Sequence, residues 1–351
     1  MEYSDSSSSS LEHQEFLEKH RKYDTHDLKK FLNGFVADIR AAYNQQVRNI
    51  VQGIKKHPGM RIIHCGMGGS AIAAEVMRTY IWKEKFILES VSDYTIPGEL
   101  TNKDLVIISS YSGNTEEAQS CYRQARGVGA QVIVITSGGS LAEATSTGTL
   151  PLIKLPKGYP PRSALPHMFF TLLRVFEEIG LITKKTDEVQ ELIDKFRSQS
   201  LDDFAIDLSG KLYGKIPLIY SSNRFYSIAY RWKTQVNENA KSVAFSNKFP
   251  ELDHNEITGF QIKNGIFHAV MLTSDADSSR MRKRMQISKE LLQKNQVSVT
   301  ELNVKGSVLT KIFTAIYAGD LTSYYLALRY HVDPLPVDTI EQLKRQMGPF
   351  I

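Results

Sequence analysis

Two cysteines, Cys65 and Cys121, are too few to staple a chain of 351 residues with disulfides, and such sparse use fits a reducing compartment. No apolar run approaches the roughly 20 residues that a membrane helix needs, which argues against a helical span. The opening MEYSDSSSSSLEHQEF has neither the basic start nor the apolar centre of a secretory signal. The expectation is therefore a cytoplasmic protein with an unstructured serine run. HExxH, paired CxxC and EF-hand spacings are all missing, so no metal site is expected, and no G-x-S-x-G elbow suggests a serine hydrolase. Charge is modest too, at a formal +5. The densest basic run, Arg280, Arg282, Lys283 and Arg284, has no aromatics interleaved for base stacking, so nucleic acid is not an expected partner and a small anion is.

What is present is rhythm. From residue 61 short β-rich runs (RIIHCGM, KFILESV, DLVIISS, QVIVITS, LPLIKLP) alternate with helical patterns, the signature of a parallel sheet covered by helices. A second round begins at IPLIYSS (216–222) and runs through IFHAVML and QVSVTELNV, with helical patterns near 225–241, 280–294 and 307–330. The length suits two domains. A charged helical segment, KKTDEVQELIDKFRSQSLDDFAIDLSGKLYGK, separates the rounds. The division expected is a tail and helix over 1–40, a first domain over 41–185 and a second over 186–351. RIIHCGMGGSAIAAEV also lies opposite KIPLIYSSNRFYSIAYRW, each an apolar strand, a small-residue loop and a helix.

Ligands of open α/β sheets gather beyond the carboxyl ends of the strands, where loops enter helix N-termini. Two loops suit that place. In GMGGSA (66–71) glycines allow close approach of the backbone to an anion. In SSYSGNTEEA (109–118) Ser110, Ser112 and Thr115 supply hydroxyls where a helix is expected to begin near NTEEA. Neither loop carries the lysine that a nucleoside-triphosphate loop would place after its glycines. The pair describes a neutral cradle for a phosphate monoester. The same GMGGSA also satisfies G-x-G-x-x-A, with Glu89 ending the next strand where a ribose-binding acid belongs, so a nicotinamide enzyme is the rival reading.

Beyond the loops, GYPPRSALP (158–166) sets Arg162 between a rigid Pro-Pro turn and a helix start, where a fixed cation could offset a developing oxyanion. In QVNENAKSVAFSNKFPELDHNEITGF (235–260), Glu238, Glu251, Glu256 and His254 are proton-transfer types. They could equally be an ion-paired helix end and a loop histidine.

GMGGSAI, SYSGNTEE, PPRSALP, NENAK, FPELDHNEI and the tail DPLPVDTIEQLK occur in one order across nearly the whole chain. In this set the chain resembles the bifunctional phosphoglucose/phosphomannose isomerases of the sugar-isomerase (SIS) superfamily. The resemblance implies two flavodoxin-like α/β SIS domains, each a mainly parallel sheet flanked by helices, and a homodimer with active sites at the interface. It implies that Gly69, Ser70, Ser110, Ser112 and Thr115 bind the phosphate of hexose 6-phosphates. Arg162 would stabilise the intermediate and Glu238 would be the base. His254, from the partner subunit, and Lys344 would assist ring opening, without metal or cofactor. A non-catalytic SIS sugar-phosphate regulator is the alternative from another class, but the serine-rich start offers no helix-turn-helix. A glutamine-dependent sugar synthase would need an N-terminal cysteine nucleophile ahead of the SIS pattern.

Overall fold

The computed structural model describes residues 6–145, 150–263 and 265–348. They form two compact units. One spans Gly34–Thr186; the other joins the described residues up to Asn33 with those from Asp187 onward. Helices α1 (Ser6–Tyr23) and α2 (Leu28–Asn33) thus go with the second sheet. The serine run is helical from Ser6, where the sequence pattern reads as unstructured. Downstream contacts hold that helix: Phe16 meets Tyr325 edge to face at 5.0 Å, and His20 bonds Tyr324 at 2.8 Å.

The Gly34–Thr186 unit runs through α3 (Phe35–Tyr43), α4 (Arg48–Val51), β1 (Ile62–Cys65), α5 (Gly68–Tyr80), β2 (Leu88–Val91), β3 (Leu105–Ser109) and α6 (Glu116–Gly127). It continues with β4 (Gln131–Thr136), α7 (Gly139–Ala144), β5 (Leu152–Lys154), a 3-10 turn (Pro161–Ala164) and α8 (Leu165–Glu178). Its strands stand in the order β2-β1-β3-β4-β5, each pairing parallel. This 2-1-3-4-5 order is the flavodoxin-like one, with its switch point between β1 and β3. β1 and β3 are buried along their whole length, because helices cover both faces. On one face Ile63, Cys65, Val106, Ile108, Val132 and Val134 pack with Ala118 and Cys121 of α6.

The other unit adds α9 (Thr186–Ser198), α10 (Asp202–Leu212), β6 (Ile216–Ser222), α11 (Tyr226–Ala240), β7 (Phe245–Phe249), 3-10 turns Glu251–His254 and Glu256–Gln261, and β8 (Phe267–Thr273). It closes with α12 (Ser279–Lys294), β9 (Ser298–Asn303), α13 (Val308–Arg329) and α14 (Asp338–Met347). Its order β7-β6-β8-β9 is again parallel and repeats the 2-1-3-4 start of the first sheet. β6–α11 therefore occupies the place of β1–α5, as the opposed strand–loop–helix segments suggest. Two α/β units with parallel sheets are what the alternating pattern leads one to expect.

Candidate active site

In the Gly34–Thr186 unit both small-residue loops end at the switch point between β1 and β3. Helix α5 starts at Gly68, so Gly69 and Ser70 sit in its first turn; α6 starts after Thr115. Neither helix is capped by a side chain. Their free amides and positive dipole ends remain for an anion.

The hydroxyls are arranged as donors. Ser70 Oγ accepts from Tyr111 N at 3.1 Å, tying the two loops together, and Ser112 Oγ accepts from Asn114 N at 3.2 Å. Ser110 Oγ accepts from Gly113 N at 3.0 Å and pairs with Thr115 Oγ1 at 2.8 Å. Ser70 and Ser112, whose oxygens accept backbone protons, still have their own to give, and the Ser110–Thr115 pair has one left after one hydroxyl donates to the other. Ser70 and Ser110 are buried, Thr115 is half-buried and Ser112 exposed, so the four grade from floor to rim.

Gly69 makes the remaining connection. A Cβ there would lie 2.5 Å from the Pro161 carbonyl oxygen, so only glycine lets the α5 turn press against the 3-10 turn that holds Arg162. Arg162 is 5% exposed, not the surface arginine that a loop position suggests. The structure thus gathers Gly69, Ser70, Ser110, Ser112, Thr115 and Arg162 into one unit. Loop 158–160 is itself braced: Tyr159 donates to Asp38 Oδ1 at 2.7 Å, and its N–H donates to Tyr111 Oη at 2.9 Å. Sequence patterns give no sign of Asp38 or Tyr111, because neither lies near Arg162 along the chain.

Glu238, His254 and Lys344 belong to the other unit. Glu238, in the last turn of α11, is half-buried and lines an open pocket of about 910 Å³ with Lys233, Lys241, Phe245, Asp333 and Ile340. Neither His254 nor Lys344 lines it. His254 is exposed at the end of a 3-10 turn whose neighbours are all fastened. Asp253 accepts from Ser288 Oγ at 2.8 Å and Arg284 at 3.1 Å, and Glu256 accepts from Tyr220 and Asn247. Burial and the Glu256 charge push the Tyr220 phenol above its ordinary range. Lys344 is exposed on α14, paired with Glu341 at 2.8 Å.

Glu89, the acid that a nicotinamide site would use, is taken. Arg61 Nε and a terminal guanidinium nitrogen hold both its oxygens at 2.8 and 2.6 Å, and this hydrogen-bonded pairing lowers its pKa. The same guanidinium donates to the Glu99 and Pro97 carbonyls. Glu89 is thus a structural brace. Among the described residues no group of three or more His, Cys, Asp or Glu could hold a metal, and no helix is long and apolar enough to cross a membrane.

Two parallel units, one with a lysine-free cradle of hydroxyls at its switch point, define a SIS-domain protein. The SIS domain model matches residues 57–172, and the model for the bacterial phospho-glucose isomerase C-terminal SIS domain matches residues 202–347. The chain belongs to the bifunctional phosphoglucose/phosphomannose isomerase family. It is 37% identical to that enzyme of Caldicellulosiruptor bescii, over 86% of this chain and 93% of that one. It is 33% identical to the enzyme of the same name from Aquifex aeolicus, over 88% and 97%. It is also 32% identical to D-glucosamine-6-phosphate 4-epimerase of Sulfolobus acidocaldarius, over 66% and 74%. Among solved structures, a hypothetical protein of Thermus thermophilus shares the fold with a TM-score of 0.75 at 13% identity, covering 97% of this chain and 95% of that one.

Proposed function

We propose that this chain is an aldose-ketose isomerase that interconverts glucose 6-phosphate and mannose 6-phosphate with fructose 6-phosphate. The observation that carries the reading is the cradle of Ser70, Ser110, Ser112 and Thr115 between two uncapped helix N-termini, which suits a phosphate monoester. Family membership supplies the sugar and the reaction class.

In this reading Gly69 and the four hydroxyl residues hold the 6-phosphate. His254 and Lys344 assist opening of the sugar ring. Glu238 then removes the proton from the carbon beside the carbonyl, giving a cis-enediolate, and returns it to the neighbouring carbon. Arg162 offsets the oxyanion charge while the enediolate exists. From aldose to ketose the step balances within one molecule: the carbon-bound proton and an electron pair pass from C2 to C1 while a hydroxyl proton passes from O2 to O1, so C2 is oxidised as C1 is reduced and no outside oxidant is needed. A base serving both C2 epimers explains activity on two aldoses. The working form is a homodimer in the cytoplasm, with His254 arriving from the second copy at an interfacial site. Fastened neighbours on either side of an exposed imidazole support that presentation.

The 4-epimerase relative makes a second reading specific, since a protein 32% identical over 66% of this chain is named for chemistry at another carbon. A coupled assay offered fructose, glucose and mannose 6-phosphates separately, beside glucosamine 6-phosphate, decides between them. Turnover of the first three, abolished in a folded Glu238→Gln variant, is expected. Activity on glucosamine 6-phosphate alone, or full turnover without the carboxylate, would overturn the isomerase reading.

A further inference from the structure

The last turn of α11 carries Glu238 between residues that are each tied down. Asn237 Nδ2 donates to the Ser242 carbonyl at 2.8 Å. Asn239, 1% exposed, donates to Ser323 Oγ on α13 at 2.9 Å, and Ser323 passes its own proton to the Asp320 carbonyl at 2.8 Å. Lys241 closes the helix in the left-handed region, with φ 54° and ψ 27°. Glycine is the residue that this C-terminal position ordinarily takes, because a side chain there meets its own backbone. A lysine that accepts the strain calls for a reason in its side chain.

The side chain supplies one. Lys241 Nζ donates to the carbonyl of Glu238 itself at 2.6 Å and to the carbonyl of Pro334 at 3.0 Å. The first bond satisfies an acceptor that the helix end leaves open, on the residue proposed as base. The second fixes that turn to the segment leading into α14, from which Val337 to Ile340 line the same pocket as Glu238. Resting on the isomerase reading, we infer that Lys241 is a positioning residue: it locks the backbone of Glu238, and hence its carboxylate, against the opposite wall of the pocket.

The left-handed backbone makes the test clean. Lys241→Gly relieves the strain while deleting the clamp, so the melting temperature is expected to hold or rise while kcat falls about 10- to 100-fold, the scale of a small misplacement of a reacting group. KM for fructose 6-phosphate is expected to change less than about threefold, because the Lys241 ammonium, though at the pocket wall, is engaged with the Glu238 and Pro334 carbonyls. Lys241→Arg, which keeps a long donor, is expected to recover most of kcat. If the glycine variant does not fold, Lys241→Asn takes its place, since asparagine tolerates this backbone but cannot reach Pro334. Wild-type kcat in the folded glycine or asparagine variant, or a loss that arginine does not restore, overturns the inference. Inactivity of the unaltered protein on all three hexose 6-phosphates would instead strike the isomerase reading, so the two failures are separable.

Discussion

Gly113 shows how narrowly a single residue can be determined. The chain passes it at φ 74°, and a methyl group there would stand 1.8 Å from the Gly138 carbonyl oxygen. Its N–H donates to both the carbonyl and the Oγ of Ser110, so the turn shapes the hydroxyl cradle directly. Gly113→Ala is therefore expected to cost about 1–3 kcal/mol from backbone strain alone, with more from the collision, read as a lower urea midpoint. Ser112 is the opposite case. It is exposed, and its Oγ accepts from Asn114 N. Ser112→Ala should cost no more than about 1 kcal/mol of stability, yet raise KM for fructose 6-phosphate about tenfold with kcat nearly unchanged. A hydroxyl that grips a phosphate grips it alike in ground and transition states. A variant whose kcat collapsed at constant KM would place Ser112 at the chemistry instead.

At the scale of elements, β1 and β3 share a polar fastening at their entry. Asp104, 3% exposed, accepts from Arg61 N at 3.0 Å, Thr101 N at 2.8 Å and Thr101 Oγ1 at 3.0 Å. Burial alone would raise its pKa, but these three donors and the Arg61 charge outweigh burial and hold it below the ordinary 3.8. A carboxylate with a depressed folded-state pKa contributes stability above its unfolded pKa and loses it as pH falls through the folded one. Asp104→Asn should thus cost about 1–3 kcal/mol at pH 7, with the gap to the unaltered protein narrowing at pH 3 and below. Urea unfolding at both pH values measures this. Such fastenings are illegible in a sequence, because Asp104 looks like any loop acid. Elements with a strong local signal were legible: the alternation of apolar runs and helices, both cradle loops, and the starts of α12 and α13. Long-range approach was not. Nothing in the sequence joins α1 and α2 to the second sheet, buries Arg162, or tells that Gly69 must clear Pro161. Lys241 reads as an ordinary surface lysine until its left-handed backbone is seen.

Across the whole molecule, each unit carries a buried imidazole whose charge the fold does not tolerate. Burial lowers the His64 pKa on β1 to about 4, and a Cβ added at Gly66 just beyond the strand would lie 3.3 Å from that ring. On β8, burial and then the charges of Lys211 and Lys215 lower His268 to about 4, while its Nε2 pairs with Thr300 Oγ1 at 2.9 Å. Unfolded histidine titrates near 6.5, so between those values the unfolded chain binds more protons and stability must fall as the pH falls. Their contribution is complete above about pH 6.5 and is lost as pH drops towards 4, up to about 3 kcal/mol for each ring. Because the two rings sit in different units, both units should weaken in one window, well before carboxylates such as Asp104 protonate. Urea unfolding from pH 7 to pH 4.5 should show that decline. His268→Gln, which keeps a donor for Thr300 but cannot titrate, should flatten the slope for the unit containing β8 and leave the other unchanged. An unaltered slope in that variant would mean that His268 is protonated in the folded state and that acid sensitivity originates elsewhere.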